Sequence, residues 1–172
     1  MIPELFWISE IAPLRLTQMP RPRSGDGLLE EIAGWQRARV NTVVSLLEPH
    51  EVRELELQDE PLFCAYYGID FMTLPTPDAG TPHSLPQTMV LVDELVARLR
   101  RDEGVAIHCR AGIGRSGLLS ACVLLRVGVP LAEVFPILSR ARRLPIPDTP
   151  VQVEWVARFA ATLGAPTRRS PE

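Results

Sequence analysis

The sequence predicts an α/β fold, a central and mostly parallel sheet flanked by helices, and three observations carry that expectation. Short runs rich in β-branched and aromatic residues alternate with segments of helical periodicity. "VAIHC", residues 105–109, is too short and too apolar for anything but a strand buried on both faces, as strands of parallel sheets are. "RSGLLSACVLLRVGV", which begins at Arg115, is apolar nearly all round and so reads as a buried central helix.

In chain order, "LFWIS" and "VNTVVSLL" read as strands, with the helix "GLLEEIAGWQRA" between them. "EVRELELQ" reads as a helix and "GIDFMTLP" as a strand that stops where Pro75 withholds a backbone donor. The segment "PTPDAGTPHSLP" packs prolines, a glycine and an aspartate between periodic stretches, the mark of a long surface loop. Beyond it Leu85, Met89, Val92, Val96 and Leu99 recur at helical spacing, with Arg100 and Arg101 in the last turn and Gly104 as the expected stop. After the central helix come two more, near 131–143 and 149–163, the second opened by a capping box of Thr149, Pro150 and Gln152.

A chain of 172 residues that is 46% hydrophobic supports one domain, taken as 1–164, with residues 165–172 expected to fray. The formal charge of −3 supplies no overall basic field, so neither nucleic acid nor an anionic membrane is an expected partner. The N-terminus lacks a signal-peptide pattern, and no window approaches the roughly 18 apolar residues that cross a bilayer. Three widely spaced cysteines, Cys64, Cys109 and Cys122, suit neither a disulfide framework nor a zinc site, and His50 and His83 show no ligand spacing. The expectation is a cytoplasmic protein without metal or cofactor. Every one of the 18 basic residues is arginine, which fits the codon bias of a GC-rich, bacterial genome.

The chemistry concentrates in "HCRAGIGRSG", residues 108–117. A strand, a glycine-bearing loop and a helix N-terminus bring several backbone N–H groups into one concavity at the positive end of a helix dipole, which is an anion site. Cys109 sits at its floor, where the amides and Arg115 favour thiolate over thiol. Arg115 folds back and offers a planar fork to two oxygens of a phosphoryl group, a geometry lysine lacks. Ser116 is placed to donate to the sulfur, and His108 to fix the loop by hydrogen bonding.

Two plainer readings of the loop are weaker. A buried structural cysteine requires no arginine and glycines at these offsets. Gly112, Gly114 and Gly117 also spell GxGxxG, but the dinucleotide fold needs an acidic residue ending a second strand about 20 positions on. The nearest candidate, Glu133, lies in a helix start with only helical sequence beyond it. The ATP-binding loop is excluded because the chain has no lysine.

"HCRAGIGRSG" resembles the HCxxGxxR[ST]G signature of cysteine-dependent protein tyrosine and dual-specificity phosphatases. "PTPDAGTP" is similar to the aspartate loop of their small atypical dual-specificity branch, and the likeness extends from "LFWI" through "VVSLLEPHE" to "TPVQVEW". The resemblance implies a phosphotyrosine-phosphatase-like fold and hydrolysis through a phosphocysteine. Arg110, Ala111, Gly112, Ile113, Gly114 and Arg115 would hold the phosphate, and Asp78, about thirty residues before Cys109, would be the general acid. Related phosphatases use a glutamine to place the hydrolytic water, and Gln152 has two readings, that role or a helix cap partner alone.

The expected substrate is a phosphorylated protein, phosphotyrosine first and phosphoserine or phosphothreonine alongside. The alternatives are a catalytically weak phosphate-recognition module, a phosphatase acting on a phosphoinositide or an RNA 5′-triphosphate, and sulfur or arsenate chemistry, which needs no aspartate loop. Arg21, Arg23, Arg140, Arg142 and Arg143 have no assigned role at this level, and the sequence does not address oligomeric state or redox regulation.

Overall fold

In the computed structural model, which describes residues 2–164, five strands form one sheet in the order β1-β2-β5-β3-β4. They are β1 (Phe6–Trp7), β2 (Arg15–Met19), β3 (Val40–Ser45), β4 (Asp70–Thr73) and β5 (Gly104–His108). Only β1, antiparallel to β2, departs from the parallel arrangement. All five residues of β5 are buried, as its apolar sequence requires, and it lies at the centre of the sheet. Register brings Met19 and Ser45 level with His108, so three parallel strands end together where the loop begins.

Side chains alternate across the pleat and feed two cores. Val105 and Ile107 join the cluster beneath α4 (Leu85–Arg100), α5 (Gly114–Arg126), α6 (Leu131–Arg142) and α7 (Pro150–Leu163). Ala106 joins the other, with Leu28, Ile32 and Trp35 of α1 (Asp26–Arg37) and Cys64 of α3 (Glu60–Tyr66). Eleven residues of α5, Gly114 to Leu124, are buried, so this helix is the axis of its layer. Burying each of Leu118, Leu119 and Leu124 contributes about 1.5–3 kcal/mol. Cys64 and Cys122 are core residues with no exposure, and burial pushes both thiols well above their ordinary pKa.

Helix starts follow their capping chemistry. Ser84 accepts from the Gln87 amide at the head of α4. Thr149 and Gln152 form the expected capping box of α7, and Glu48 with Glu51 forms another at α2 (Pro49–Glu54). By contrast α5 begins at Gly114 with no side-chain cap, which leaves its first amides for a ligand.

Three elements differ from expectation. Strand β2 was hidden in the polar "RLTQM", whose Thr17 and Gln18 are nonetheless fully buried between neighbouring strands. The stretch after α2 turns at Leu55 and restarts as α3, with Pro61 in its first turn. Gly104 does not stop α4 but opens β5; the chain reverses at Asp102, whose φ is +63°. Among the described residues no helix is long and apolar enough to cross a membrane, and the tail at 165–172 lies outside them.

Candidate active site

The carboxyl end of β5 delivers Cys109 into a loop that closes on the N-terminus of α5 at Gly114 and Arg115. Gly112 has φ +70°, and a Cβ there would stand 2.5 Å from the Met19 carbonyl carbon and oxygen. Only glycine lets the loop lie this close to the end of β2. A Cβ at Gly114 would meet the Asp148 carboxylate and the Gln152 amide, side-chain ends and not backbone, so the demand for glycine is weaker there than at Gly112.

Cys109 is 3% exposed, and its Sγ lies 3.5 Å from Ser116 Oγ. Burial pushes the thiol pKa up, but the Ser116 hydroxyl, the amides of Ser116 and Ile113, and the Arg115 charge outweigh it and hold the thiol below its ordinary value. The Ser116 hydroxyl, next to the sulfur, is thus among the groups that favour its ionised form.

Arg115 is anchored by three residues from two segments, α2 and the aspartate loop. Its Nη1 and Nη2 donate to the two oxygens of Glu51 at 2.6 and 2.9 Å, Nη1 also to the Thr76 carbonyl at 2.9 Å, and Nη2 lies 3.3 Å from Asp78 Oδ1. Burial raises the Glu51 pKa, but Arg115 outweighs it and keeps the carboxyl below its usual range. A buried arginine aimed this way meets an oxyanion with its orientation already fixed.

Asp78 is 74% exposed at its side chain and stands over this group, with Oδ1 also accepting from the Ala79 amide at 3.0 Å. Its loop is latched at both ends. The Thr76 amide donates to the Leu46 carbonyl, while Thr149 Oγ1 and Gln152 Nε2 donate to the carbonyls of Ala79 and Gly80 at 3.3 and 3.1 Å. Gln152 Oε1 is taken by the amides of Asp148 and Thr149. The cap role of Gln152 is thus observed, and its Nε2 reaches the aspartate loop.

Behind the sulfur, His108 is completely buried, donating from Nε2 to Glu60 Oε1 at 2.9 Å and from Nδ1 to the Cys109 carbonyl at 3.2 Å. Both partners are acceptors, so the charged imidazolium is the form that makes both bonds. Burial opposes that charge, but Glu60 and the Cys109 carbonyl prevail and raise the His108 pKa.

The sequence-assigned Cys109, Arg115, Asp78, Ser116 and His108 therefore meet in one place, with Ala111, Gly112, Ile113 and Gly114 forming the loop. Arg110 does not point a free cation at it: Nη2 donates to Glu54 Oε1 at 2.8 Å. Glu51 and Glu60 were missed as site residues. Each sits in the first turn of a short helix, buried but far along the chain from its partner, and nothing in the local sequence distinguishes them from solvated acids. Arg140 pairs with Glu10 at 3.0 Å, away from the loop, and Arg23 lends only its amide to Glu31.

Residues 18–129 match the Tc-R-P family model, whose description is polymorphic toxin system, DSP-PTPase phosphatase. Cyclin-dependent kinase inhibitor 3 of Rattus norvegicus is 41% identical over 59 residues, 34% of this chain and 27% of that protein. The match thus spans about a quarter of the curated relative. Kinase-associated phosphatase with its catalytic cysteine changed to serine superposes with a TM-score of 0.85 at 19% identity, covering 96% of this chain and 98% of that one. Tk-PTP in its active form gives 0.77 at 25% identity, covering 94% and 99%. PTPMT1 in complex with PI(5)P gives 0.73 at 20% identity, covering 87% and 92%.

Proposed function

The chain belongs to the DSP-PTPase family of cysteine-dependent dual-specificity phosphatases, and from that premise we propose that it hydrolyses phosphorylated protein, phosphotyrosine first and phosphoserine or phosphothreonine alongside, through a phosphocysteine intermediate. The observation that carries the reading is the meeting of Cys109, its Sγ 3.5 Å from Ser116 Oγ and its pKa lowered by that hydroxyl and the loop amides, with an Arg115 whose Nη2 lies 3.3 Å from Asp78.

In the first step the Cys109 thiolate attacks phosphorus in line and the bond to the ester oxygen breaks, with Asp78 giving its proton to the leaving oxygen. Arg115 and the loop amides take the negative charge of the equatorial oxygens. In the second step water attacks the phosphocysteine, the now anionic Asp78 accepts its proton, and the sulfur leaves as a thiolate toward the Ser116 hydroxyl. Inorganic phosphate is the product.

Charge around the rim supports a monoester on protein over a polyanionic headgroup. Glu54 occupies Arg110, the one cationic side chain the loop itself adds at the mouth beside Arg115. Kinase-associated phosphatase, by its name, works beside a kinase, whereas PTPMT1 was captured with a phosphoinositide. The three cysteines are unpaired, which suits the reducing cytoplasm this thiolate needs.

The test is turnover of an aryl phosphate with reductant and chelator present, followed by a panel of phosphopeptides and phosphoinositides. Vanadate-sensitive turnover lost in Cys109→Ser supports the reading, and preference for phosphotyrosine peptides supports the substrate. Phosphopeptide binding without turnover would instead make the protein a recognition module, and a preference for phosphoinositides would move the substrate to lipid.

A further inference from the structure

Three successive carbonyls of the phosphate-binding loop are tied away from its concavity. The Arg21 amide donates to the Arg110 carbonyl at 3.2 Å. Arg142, in the last turn of α6, takes the next two: Nη2 donates to the Ala111 carbonyl at 3.0 Å and Nε to that of Gly112 at 3.1 Å. The same guanidinium lies over the Phe6 ring of β1, 4.1 Å from its centroid.

Trans peptides are planar, with C=O and N–H on opposite sides, and no peptide of this loop is cis. A carbonyl held outward therefore turns the following amide inward. The ties at Ala111 and Gly112 aim the N–H groups of Gly112 and Ile113 toward the anion site, and Ile113 is one of the donors to the Cys109 sulfur. Those two planes flank a glycine at φ +70°, the residue type least able to hold an orientation by its own sterics.

We propose that Arg142, stacked on Phe6, is a positioning residue of the phosphate-binding loop, locking the two peptide planes that aim the Gly112 and Ile113 amides at the Cys109 sulfur and at a bound oxyanion. The proposal rests on the phosphatase reading of the same loop. It also accounts for the residue type, because a planar fork reaches two adjacent carbonyls at fixed angles and an ammonium does not. Arg142 lies on the outer side of the loop, so it touches no substrate and acts through the backbone.

The test compares the wild type with Arg142→Gln, Arg142→Lys and Phe6→Leu in the full chain. Three quantities are read: the Cys109 pKa from alkylation rate against pH, the vanadate dissociation constant by calorimetry, and the thermal midpoint. In Arg142→Gln the thiol pKa rises by about one unit and vanadate binding weakens about tenfold, with the midpoint little changed. Arg142→Lys behaves like the glutamine variant although it keeps the charge, and Phe6→Leu moves the same readouts less.

A folded Arg142→Gln with wild-type thiol pKa and vanadate affinity overturns the proposal. So does an Arg142→Lys that keeps both values, since charge alone would then suffice. Should both Arg142 variants fail to fold, an unchanged thiol pKa and vanadate affinity in Phe6→Leu overturns it, and a rise with weaker binding supports it. None of these readouts needs turnover, so an inactive wild type would sink the enzymatic reading while this one is still decided.

Discussion

Glu51 grips Arg115 through both carboxylate oxygens, at 2.6 and 2.9 Å, and each side chain is only 2% exposed. The anchor comes from α2, far from the loop in sequence, and makes the arginine a fixed part of the site before any phosphate arrives. Removing one member of such a pair leaves a buried charge without compensation, at about 3–5 kcal/mol.

Glu51→Gln is therefore expected to lose about 3 kcal/mol in urea unfolding, toward the low end because the amide oxygen still accepts one bond. Vanadate should raise the variant's midpoint more than the wild type's, since a bound dianion restores charge to Arg115. An unchanged urea midpoint would show that the pair contributes nothing to the fold.

A second buried pair makes stability depend on pH in a definite direction. His108 has its pKa raised by Glu60 in the folded state. Its contribution is fully present below the unfolded histidine value of about 6.5 and is lost as pH rises through the folded value. Glu60→Gln should abolish that dependence and raise the Cys109 pKa, because the imidazolium behind the sulfur is no longer favoured. Urea midpoints across pH, read beside alkylation rates, check both; parallel stability curves for the two proteins would count against it.

The extent to which these features were legible follows from the distance over which each is specified. The parallel sheet and the buried helix α5 could be read because "VAIHC" and "RSGLLSACVLLRVGV" write their burial into local pattern. The Cys109–Arg115 loop could be read because every participant lies within a few residues, and Asp78 was marked by its proline-flanked loop. Strand β2 could not, since Thr17 and Gln18 are buried by neighbours from both sides and not by their own polarity. Glu51, Glu60 and Arg142 were out of reach for the same reason: their partners lie 64, 48 and 30 residues away.

Glycine at 112 is a steric requirement of the site. An alanine there would collide with the Met19 carbonyl and hold φ near +70° against its own preference. Gly112→Ala should lose vanadate binding by more than tenfold while the core, to which this loop contributes only Cys109 and the half-buried Ile113, keeps most of its thermal stability. Isothermal titration with a melt on the same sample is the check; unimpaired vanadate affinity would mean that the loop tolerates a different path.

The two readings of Gln152 separate by which chemical step its loss slows. If it places the hydrolytic water, Gln152→Ala slows breakdown of the phosphocysteine, and a rapid burst of alcohol precedes a slow steady state whatever the leaving group. Its bonds favour the other outcome, because Oε1 is occupied by the Asp148 and Thr149 amides and Nε2 by the Gly80 carbonyl of the aspartate loop. Loosening that latch misplaces Asp78, whose proton matters most for a poor leaving group. Asp78→Ala is expected to cost about 10²–10³ in kcat/KM on phenyl phosphate and far less on p-nitrophenyl phosphate. Gln152→Ala should reproduce that leaving-group dependence at smaller amplitude, with no burst. Rapid-mixing kinetics on both substrates distinguish the cases, and a burst in the Gln152 variant with both esters would return the residue to the water.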